Sequence, residues 1–187
     1  MLHGNPGRTF AVAGLALGIC LLAGRTGRAG TEAGETGAAR GQAAFAYRPE
    51  DAARAFANAG RAVVKLPSGR SLVAVIADTP EREMYGYMFQ REVKDTEGMV
   101  FVYPEAGLHP FWMKNTLVPL DIIWMDDAFA VLHIETAPPC KADPCPSYGT
   151  PRMSRYTLEL KAGAAGREGL KVGDTIQVSF PGDGTAR

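Results

Sequence analysis

The residues best suited to chemistry stand close together in the middle of the chain, between Phe111 and Asp121. Two large aromatic side chains, a lysine, an asparagine, a threonine and an aspartate occur within these eleven residues. An aromatic surface with a few convergent polar groups is typical of a small-ligand site. Lysine binds anions, and the aspartate is suited to pair with it or with Arg91. The candidate ligand-binding residues are therefore Trp112, Lys114, Asn115, Thr116, Asp121 and Arg91.

The same segment also has a purely structural interpretation. Asn115 and Thr116 favour a turn, because their side chains form hydrogen bonds with the neighbouring backbone. Trp112 would then belong to the core and Asp121 to a structural ion pair. From the sequence, both interpretations remain open.

No nucleophile lies near a base in the sequence, so no catalytic residue is assigned. The serines that follow the cysteine pair have no neighbouring histidine, and the two histidines of the folded part are interpreted as strand residues with hydrogen-bonded rings. These four residues are Ser147, Ser154, His109 and His133. We expect a non-enzymatic protein without a cofactor. The alternative is a hydrolase that uses Asp121 together with Lys114 or His109.

Cys140 and Cys145 lie in a segment stiffened by four prolines. In an oxidising compartment, a pair this close in sequence most simply forms a disulfide whose main effect is local rigidity. A redox-active pair is an alternative, although oxidoreductases space their cysteines by two residues. Zinc is another, with His109 and His133 as the remaining ligands.

The methionines suggest Cu(I) as one further metal, because clusters of methionines in exported proteins bind it. Trp112 would then lie over the ion. Met84 and Met88 are four residues apart in a segment predicted to be helical. Methionines at that spacing are typical of a packed core. We therefore expect no metal site.

The N-terminal residues differ in composition from the rest of the chain. Arg8 precedes an uncharged apolar stretch that is short for a membrane span but fits a secretory signal. Residues 1–29 are predicted to be a signal peptide or a retained N-terminal anchor. Residues 30–58, rich in alanine and glycine, are predicted to be a tether that includes a short helix from Pro49 to Ala57.

The remaining sequence predicts a single mostly β domain over residues 59–181, followed by a tail over residues 182–187. Tyr156, Leu158 and Leu160 alternate with polar residues, which indicates a half-buried strand. Helices are predicted from Asp78 to about Met88 and over residues 162–170. Short strands at this spacing favour a small, compact β-barrel or sandwich with one or two short helices.

At these motifs the chain resembles a bacterial and archaeal family, domain of unknown function 192. The resemblance runs in order over about residues 61–180, and its most distinctive parts are residues 111–116 and the proline–cysteine segment. The motif positions are Met88, Arg91, Gly98, Met99, Trp112, Lys114, Asn115, Thr116 and Asp121. The resemblance implies a small, mostly β barrel, often exported, and brings no established activity. Tyr87 replaces the family's more frequent leucine, and residues 126–128 replace a more glycine-rich turn.

These observations together predict an exported, periplasmic or otherwise extracytoplasmic domain, monomeric, that binds a small envelope ligand or a protein partner. An acidic or hydroxylated ligand would suit Lys114 and Arg91. The formal net charge of zero over 187 residues argues against nucleic acid as the partner. We expect no membrane contact other than an N-terminal anchor.

Overall fold

The structure, a computed structural model, describes residues 46–182 of the chain. The predicted signal segment and the first part of the predicted tether lie outside the described residues. In chain order the elements are α1 (Pro49–Phe56), β1 (Arg61–Lys65), β2 (Ser71–Ala77), α2 (Pro80–Tyr85), β3 (Glu97–Gly107), β4 (Phe111–Trp112), β5 (Leu120–Met125), β6 (Val131–Ala137), β7 (Ser147–Tyr148), β8 (Ser154–Lys161), α3 (Ala164–Arg167) and β9 (Gln177–Ser179).

Seven strands form one curled sheet in the order β6-β5-β8-β3-β2-β1-β9, so the predicted mostly β fold is confirmed. β2 and β3 pair in parallel, and the other neighbours are antiparallel. The sheet curls into a half-barrel whose two edges meet at one end. There the N–H of Val131 donates to the Asp174 carbonyl (2.8 Å) and that of Ile176 to the Phe129 carbonyl (3.1 Å). Among residues 46–182, no helix is long and apolar enough to span a bilayer.

Alternate residues along the strands divide the core between the two faces of the sheet. One face, which we call the α3 face, carries Val100, Ile123 and Leu158 and is covered by α3 through Ala165. The opposite face, which we call the α2 face, carries Phe101 and Trp124 and is covered in part by the segment that follows α2. Both sides of the central strands are therefore buried.

The prediction of a half-buried strand over residues 156–160 was wrong for this reason. β8 lies between β5 and β3 and is covered on both faces, so Thr157 and Glu159 are as buried as Leu158 and Leu160. Alternation in the sequence shows which residues share a face. It does not show that the second face is exposed.

The helices differ in length from the prediction. α2 ends at Tyr85 rather than Met88, because Gly86 adopts a positive φ of 44° that stops the helix. α3 has four residues rather than nine. α1 occupies Pro49–Phe56, and its apolar side packs on α2, where the Arg82 Nε donates to the Ala55 carbonyl at 2.9 Å. This described end of the predicted tether is thus packed against the domain.

Candidate functional site

A cavity of about 370 Å³ opens on the α2 face, between the end of α2 and the short strand β4. Its lining is rich in aromatic residues, and among the described residues that form it there are two carboxyl groups and no lysine or arginine. The lining residues are Pro80, Glu83, Met84, Tyr85, Gly86, Tyr87, Met88, Phe101, Tyr103, His109, Pro110, Phe111, Trp112, Thr116 and Glu159. The polar groups of this lining are therefore two carboxyl groups, three phenols, one imidazole, one indole N–H and the Thr116 hydroxyl.

Glu159 is the most unusual residue of the lining. It projects from the central strand β8, opposite Met99 on one neighbouring strand and Ile122 on the other, and its exposed fraction is 4%. Its Oε2 has no hydrogen-bond partner among the described residues. Because burial disfavours the charged form and no cation within residues 46–182 offsets it, the pKa of Glu159 rises to about 8. The side chain is therefore mostly a neutral acid at pH 7.

Gly86 leaves the space into which this carboxyl reaches. A Cβ at that position would lie 3.7 Å from the Glu159 Oε2 and 3.4 Å from the Phe101 Cζ. The backbone there has φ 44° and ψ −131°, a conformation that only glycine adopts easily. The turn after α2 therefore brings bare backbone close to the buried acid.

The other titratable groups of the lining also show the effect of burial. Burial raises the pKa of Glu83, with a smaller contribution from Asp78, and raises the pKa of both Tyr87 and Tyr103. Burial lowers the pKa of His109, which keeps its ring neutral at pH 7. At neutral pH Glu159 is thus mostly protonated, and the phenols of Tyr87 and Tyr103 and the imidazole of His109 are neutral.

Ring contacts fix the aromatic walls. His109 stacks on Tyr103, with ring centroids 3.4 Å apart, and its carbonyl accepts a hydrogen bond from the Trp124 Nε1 at 2.9 Å. Phe111 packs edge-on against Phe101 at 4.9 Å. Trp112 is 44% exposed and lies at the edge of the cavity. The floor thus consists of rings in mutual contact, and the rim presents an accessible indole.

Of the six predicted ligand-binding residues, the structure places Trp112 and Thr116 in the lining. Asn115 lies just behind it: its Nδ2 contacts the Met88 Sδ at 3.9 Å, and its carbonyl accepts from the Phe89 N–H at 2.9 Å. Asn115 therefore ties the β4–β5 loop to the turn after α2. Its role here is to position the wall.

The other three lie elsewhere. Lys114 forms an ion pair with Asp143 in the cysteine loop, and Arg91 is exposed on the segment between α2 and β3. Asp121 projects from the opposite, α3 face, where it accepts hydrogen bonds from the Thr136 Oγ1 (2.7 Å) and the Ala165 N–H (2.9 Å). The cavity therefore brings together neither Lys114 and Asp121 nor Asp121 and Trp112.

Cys140 and Cys145 form a disulfide with a Cα–Cα distance of 5.5 Å. Together with Asp143 they make a cluster whose candidate ligand atoms lie within 4.8 Å of one another, but both sulfurs are used in the covalent bond. The loop is attached to the cavity rim by the pairing of β7 with β4, in which Ser147 lies opposite Trp112. The disulfide thus stiffens a segment that supports the rim.

The sequence-based prediction did not include Glu159, Tyr103 or Gly86. Glu159 lies in an alternating strand, where an acid indicates a solvent-exposed position unless the strand is known to be central. A glycine five residues after the helix-starting Thr79-Pro80-Glu81 sequence marks a helix end, but gives no sign of a carboxyl opposite it. Only the order of the strands places these residues together.

The solved structures that are similar to this chain include the following two. One is the crystal structure of "a putative transcription regulator" from Sinorhizobium meliloti 1021, with 30% sequence identity, a TM-score of 0.57, and coverage of 64% of this chain and 92% of that one. The other is a protein of unknown function from Novosphingobium aromaticivorans DSM 12444, with 31% identity, a TM-score of 0.53, and coverage of 63% and 83%. No curated protein matches the chain.

The family model that matches is DUF192, described as Uncharacterized ACR, and its match extends over residues 63–178. This region begins within β1, ends within β9 and includes every strand between them. The cavity residues lie inside it, from Pro80 to Glu159. The chain therefore belongs to the DUF192 family.

Proposed function

We propose that this protein is an exported, non-enzymatic ligand-binding domain, and that its binding site is the cavity around Glu159. The observation that carries the proposal is the Glu159 Oε2, a buried oxygen to which no described residue donates a hydrogen bond, inside a cavity rich in aromatic residues. Leaving a buried polar atom unpaired costs roughly 1–3 kcal/mol, and more if it is charged. A ligand that supplies the missing donor would recover that cost on binding.

The ligand that best fits this lining is a protonated amine attached to an apolar body. Carboxylates attract ammonium groups, aromatic faces bind cations, and the remaining lining offers apolar surface. An acidic ligand, which the sequence favours through Lys114 and Arg91, would find no cation in this cavity. A neutral hydroxylated ligand fits second best, because a protonated Glu159 both donates and accepts hydrogen bonds.

Three probes of the same shape and different charge test this assignment: phenethylamine, 2-phenylethanol and phenylacetate. Binding is measured by calorimetry on protein purified from cells expressing the full chain, with the disulfide intact. We expect phenethylamine to bind most tightly and phenylacetate most weakly. Because the cation requires an ionised Glu159, its affinity should increase about tenfold per pH unit up to pH 8.

The matched control is Glu159→Gln, which keeps the shape of the side chain and cannot ionise. In this variant 2-phenylethanol should bind at least as tightly as phenethylamine, and the roughly tenfold increase in phenethylamine affinity per pH unit up to pH 8 should disappear. Tightest binding of phenylacetate, or no binding of any probe to the wild-type protein, would contradict the proposal. Tightest binding of 2-phenylethanol would replace the amine by a hydroxylated ligand in the same site.

An acid–base enzyme is the second candidate, because one cavity holds a protonated Glu159 and a neutral His109. Such a pair can donate a proton to one atom of a substrate and accept one from another. The hydrolase proposed from Asp121 would have to act from the opposite face, where that carboxylate already accepts two hydrogen bonds. Turnover of an ester or amide probe that is lost in Glu159→Gln would favour the enzyme. Turnover lost only in Asp121→Asn would favour the Asp121 hydrolase.

The proposed extracytoplasmic location is supported by the Cys140–Cys145 disulfide and by the apolar stretch before residue 30. Expression of the full chain with a C-terminal tag, followed by cell fractionation and mass determination, tests it. A periplasmic product that begins near residue 30 would show signal cleavage, and a full-length product in the membrane fraction would show a retained anchor. A full-length product in the cytoplasm would contradict export.

A further inference from the structure

We infer that Tyr47 braces the two walls of the Glu159 cavity and thereby determines the size of ligand that fits. The inference rests on the proposed function, because it assigns a selectivity element to that same site. Tyr47 does not line the cavity. It acts through Trp112 and Tyr85, and is therefore a positioning residue.

The geometry of three aromatic rings carries this inference. The Tyr47 ring lies edge-on to the Trp112 ring, with centroids 5.9 Å apart, and edge-on to the Tyr85 ring at 6.1 Å. Trp112 belongs to β4 on one side of the cavity, and Tyr85 is the last residue of α2 on the other. A single side chain thus connects two walls that come from distant parts of the sequence.

Helix α1 holds Tyr47 in this position. Ala52 is buried against Tyr85 and Met88, and the Arg82 Nε donates to the Ala55 carbonyl at 2.9 Å. At the N-terminal end of the helix, the Arg48 guanidinium donates two hydrogen bonds to the Asp51 carboxylate. Because α1 is held against the α2 segment at Ala52 and Ala55, the chain just before it is directed towards Trp112.

The wall that needs bracing is the one formed by Trp112. Its strand β4 has two residues and pairs only with the equally short β7 among the described strands, while its side chain is 44% exposed. A large ring on so short a strand can change rotamer unless another group packs against it. Tyr47 provides that contact, so the distance between Trp112 and Tyr85 is set before a ligand binds.

Tyr47 and α1 also lie outside the part of the chain that matches the family, which begins at residue 63. The cavity is built from the family's shared region, whereas the brace comes from the segment that precedes it. Ligand size is therefore determined here by residues that do not contribute to the family assignment.

Tyr47→Ala tests the inference, with Tyr47→Phe as the matched control that keeps the ring. The first readout requires no ligand: acrylamide quenching of tryptophan fluorescence. The chain has two tryptophans, and Trp124 is fully buried, so a change in quenching reports on Trp112. We expect stronger quenching in Tyr47→Ala than in the wild type and in Tyr47→Phe.

The second readout is binding of phenethylamine and of the bulkier 2-(1-naphthyl)ethylamine. In Tyr47→Ala the affinity for phenethylamine should fall about three- to tenfold, the range expected for loss of an aromatic pair. The ratio of affinities should shift towards the bulkier amine. Tyr47→Leu, which keeps an apolar side chain of similar reach, should show the same shift and guards against an unfolded alanine variant.

The outcomes separate this inference from the proposed function. If the wild type binds neither amine, the proposed function fails, and the quenching still decides whether Tyr47 braces Trp112. If the wild type binds both and the Tyr47 variants keep its quenching and its affinity ratio, the bracing role is overturned and the site stands. A lower melting temperature with an unchanged ratio would also overturn it, because that is the result of a purely structural role.

Discussion

Replacing Glu159 by glutamine should make the protein more stable at neutral and alkaline pH. The substitution keeps the volume of the side chain and its capacity for hydrogen bonds, and removes only its ability to ionise. The pKa of the buried carboxyl rises from 4.5 to about 8. Burial removes the water that stabilises the carboxylate, and no charged group among the described residues replaces that stabilisation. The free energy of unfolding of the wild type therefore decreases as the pH rises and the ionised form of the carboxyl is favoured.

The sign follows from counting protons. Between pH 4.5 and about 8, folded Glu159 holds a proton that the unfolded chain has lost, so the free energy of unfolding falls as the pH rises. The slope is about 1.4 kcal/mol per pH unit. Relative to acidic solution, the loss is roughly 3 kcal/mol at pH 7 and roughly 4–5 kcal/mol above pH 8, where it levels off. That is a large share of the 5–15 kcal/mol typical of a domain.

Urea unfolding followed by tryptophan fluorescence at several values between pH 5.5 and 8.5 measures this effect. The quantity to compare is the difference in unfolding free energy between Glu159→Gln and the wild type. It should grow by about 3 kcal/mol in favour of the variant across this range. Glu105→Gln, the same change at an exposed position, serves as the control. A difference that stays constant with pH would refute the claim that Glu159 is buried without a counter-charge.

Three further predictions concern the surroundings of the site. Asp121→Ala should lower the free energy of unfolding by roughly 3 kcal/mol, because the Asp121 carboxylate accepts two hydrogen bonds inside the fold. These bonds lie on the opposite face of the sheet, so the affinity for phenethylamine should not change. Lost binding in a fully stable variant would instead place Asp121 in the site. Gly86→Ala should cost roughly 1–3 kcal/mol for its backbone conformation and should also weaken phenethylamine binding, measured by calorimetry; unchanged affinity would show that this turn does not shape the cavity. Replacing Cys140 and Cys145 by alanine should cost about 2 kcal/mol in thermal unfolding, and unchanged stability would mean that the ring adds no constraint.

Local patterns in the sequence predict much of this fold. The turn at residues 67–69 and the Asp126-Asp127 turn lie between strands in the structure, as their residue types indicate. In the second turn, the Asp126 Oδ1 accepts hydrogen bonds from the N–H groups of Ala128 and Ala130, both at 2.9 Å. These features depend on neighbours in sequence, and the sequence contains all the information that they require.

The site depends on the order of the strands, which no local pattern contains. Glu159 faces the cavity because β8 lies between β3 and β5, neither of which is its neighbour in sequence. For the same reason the sequence alone could not show that Asp121 and Trp112 lie on opposite faces of the sheet. The two are nine residues apart, but Asp121 shares a face with Ile123 and Trp112 lies beside the other face. Proximity in sequence was a poor guide to proximity in space here.

Stability alone does not explain why this strand has an acid at position 159. Its neighbours across the sheet, Met99 and Ile122, are apolar, and an apolar side chain there would remove both the unpaired oxygen and the pH-dependent loss of stability. The adjacent turn carries a second cost, since Gly86 adopts a conformation that other residues resist and thereby keeps the space in front of the carboxyl open. Two unfavourable features that meet at one cavity are typical of a functional site, where ligand binding offsets a free-energy cost that the folded protein alone does not compensate. An ammonium group placed between the aromatic walls would give Glu159 a hydrogen-bond and charge partner, and the proposed preference for a cation follows from that.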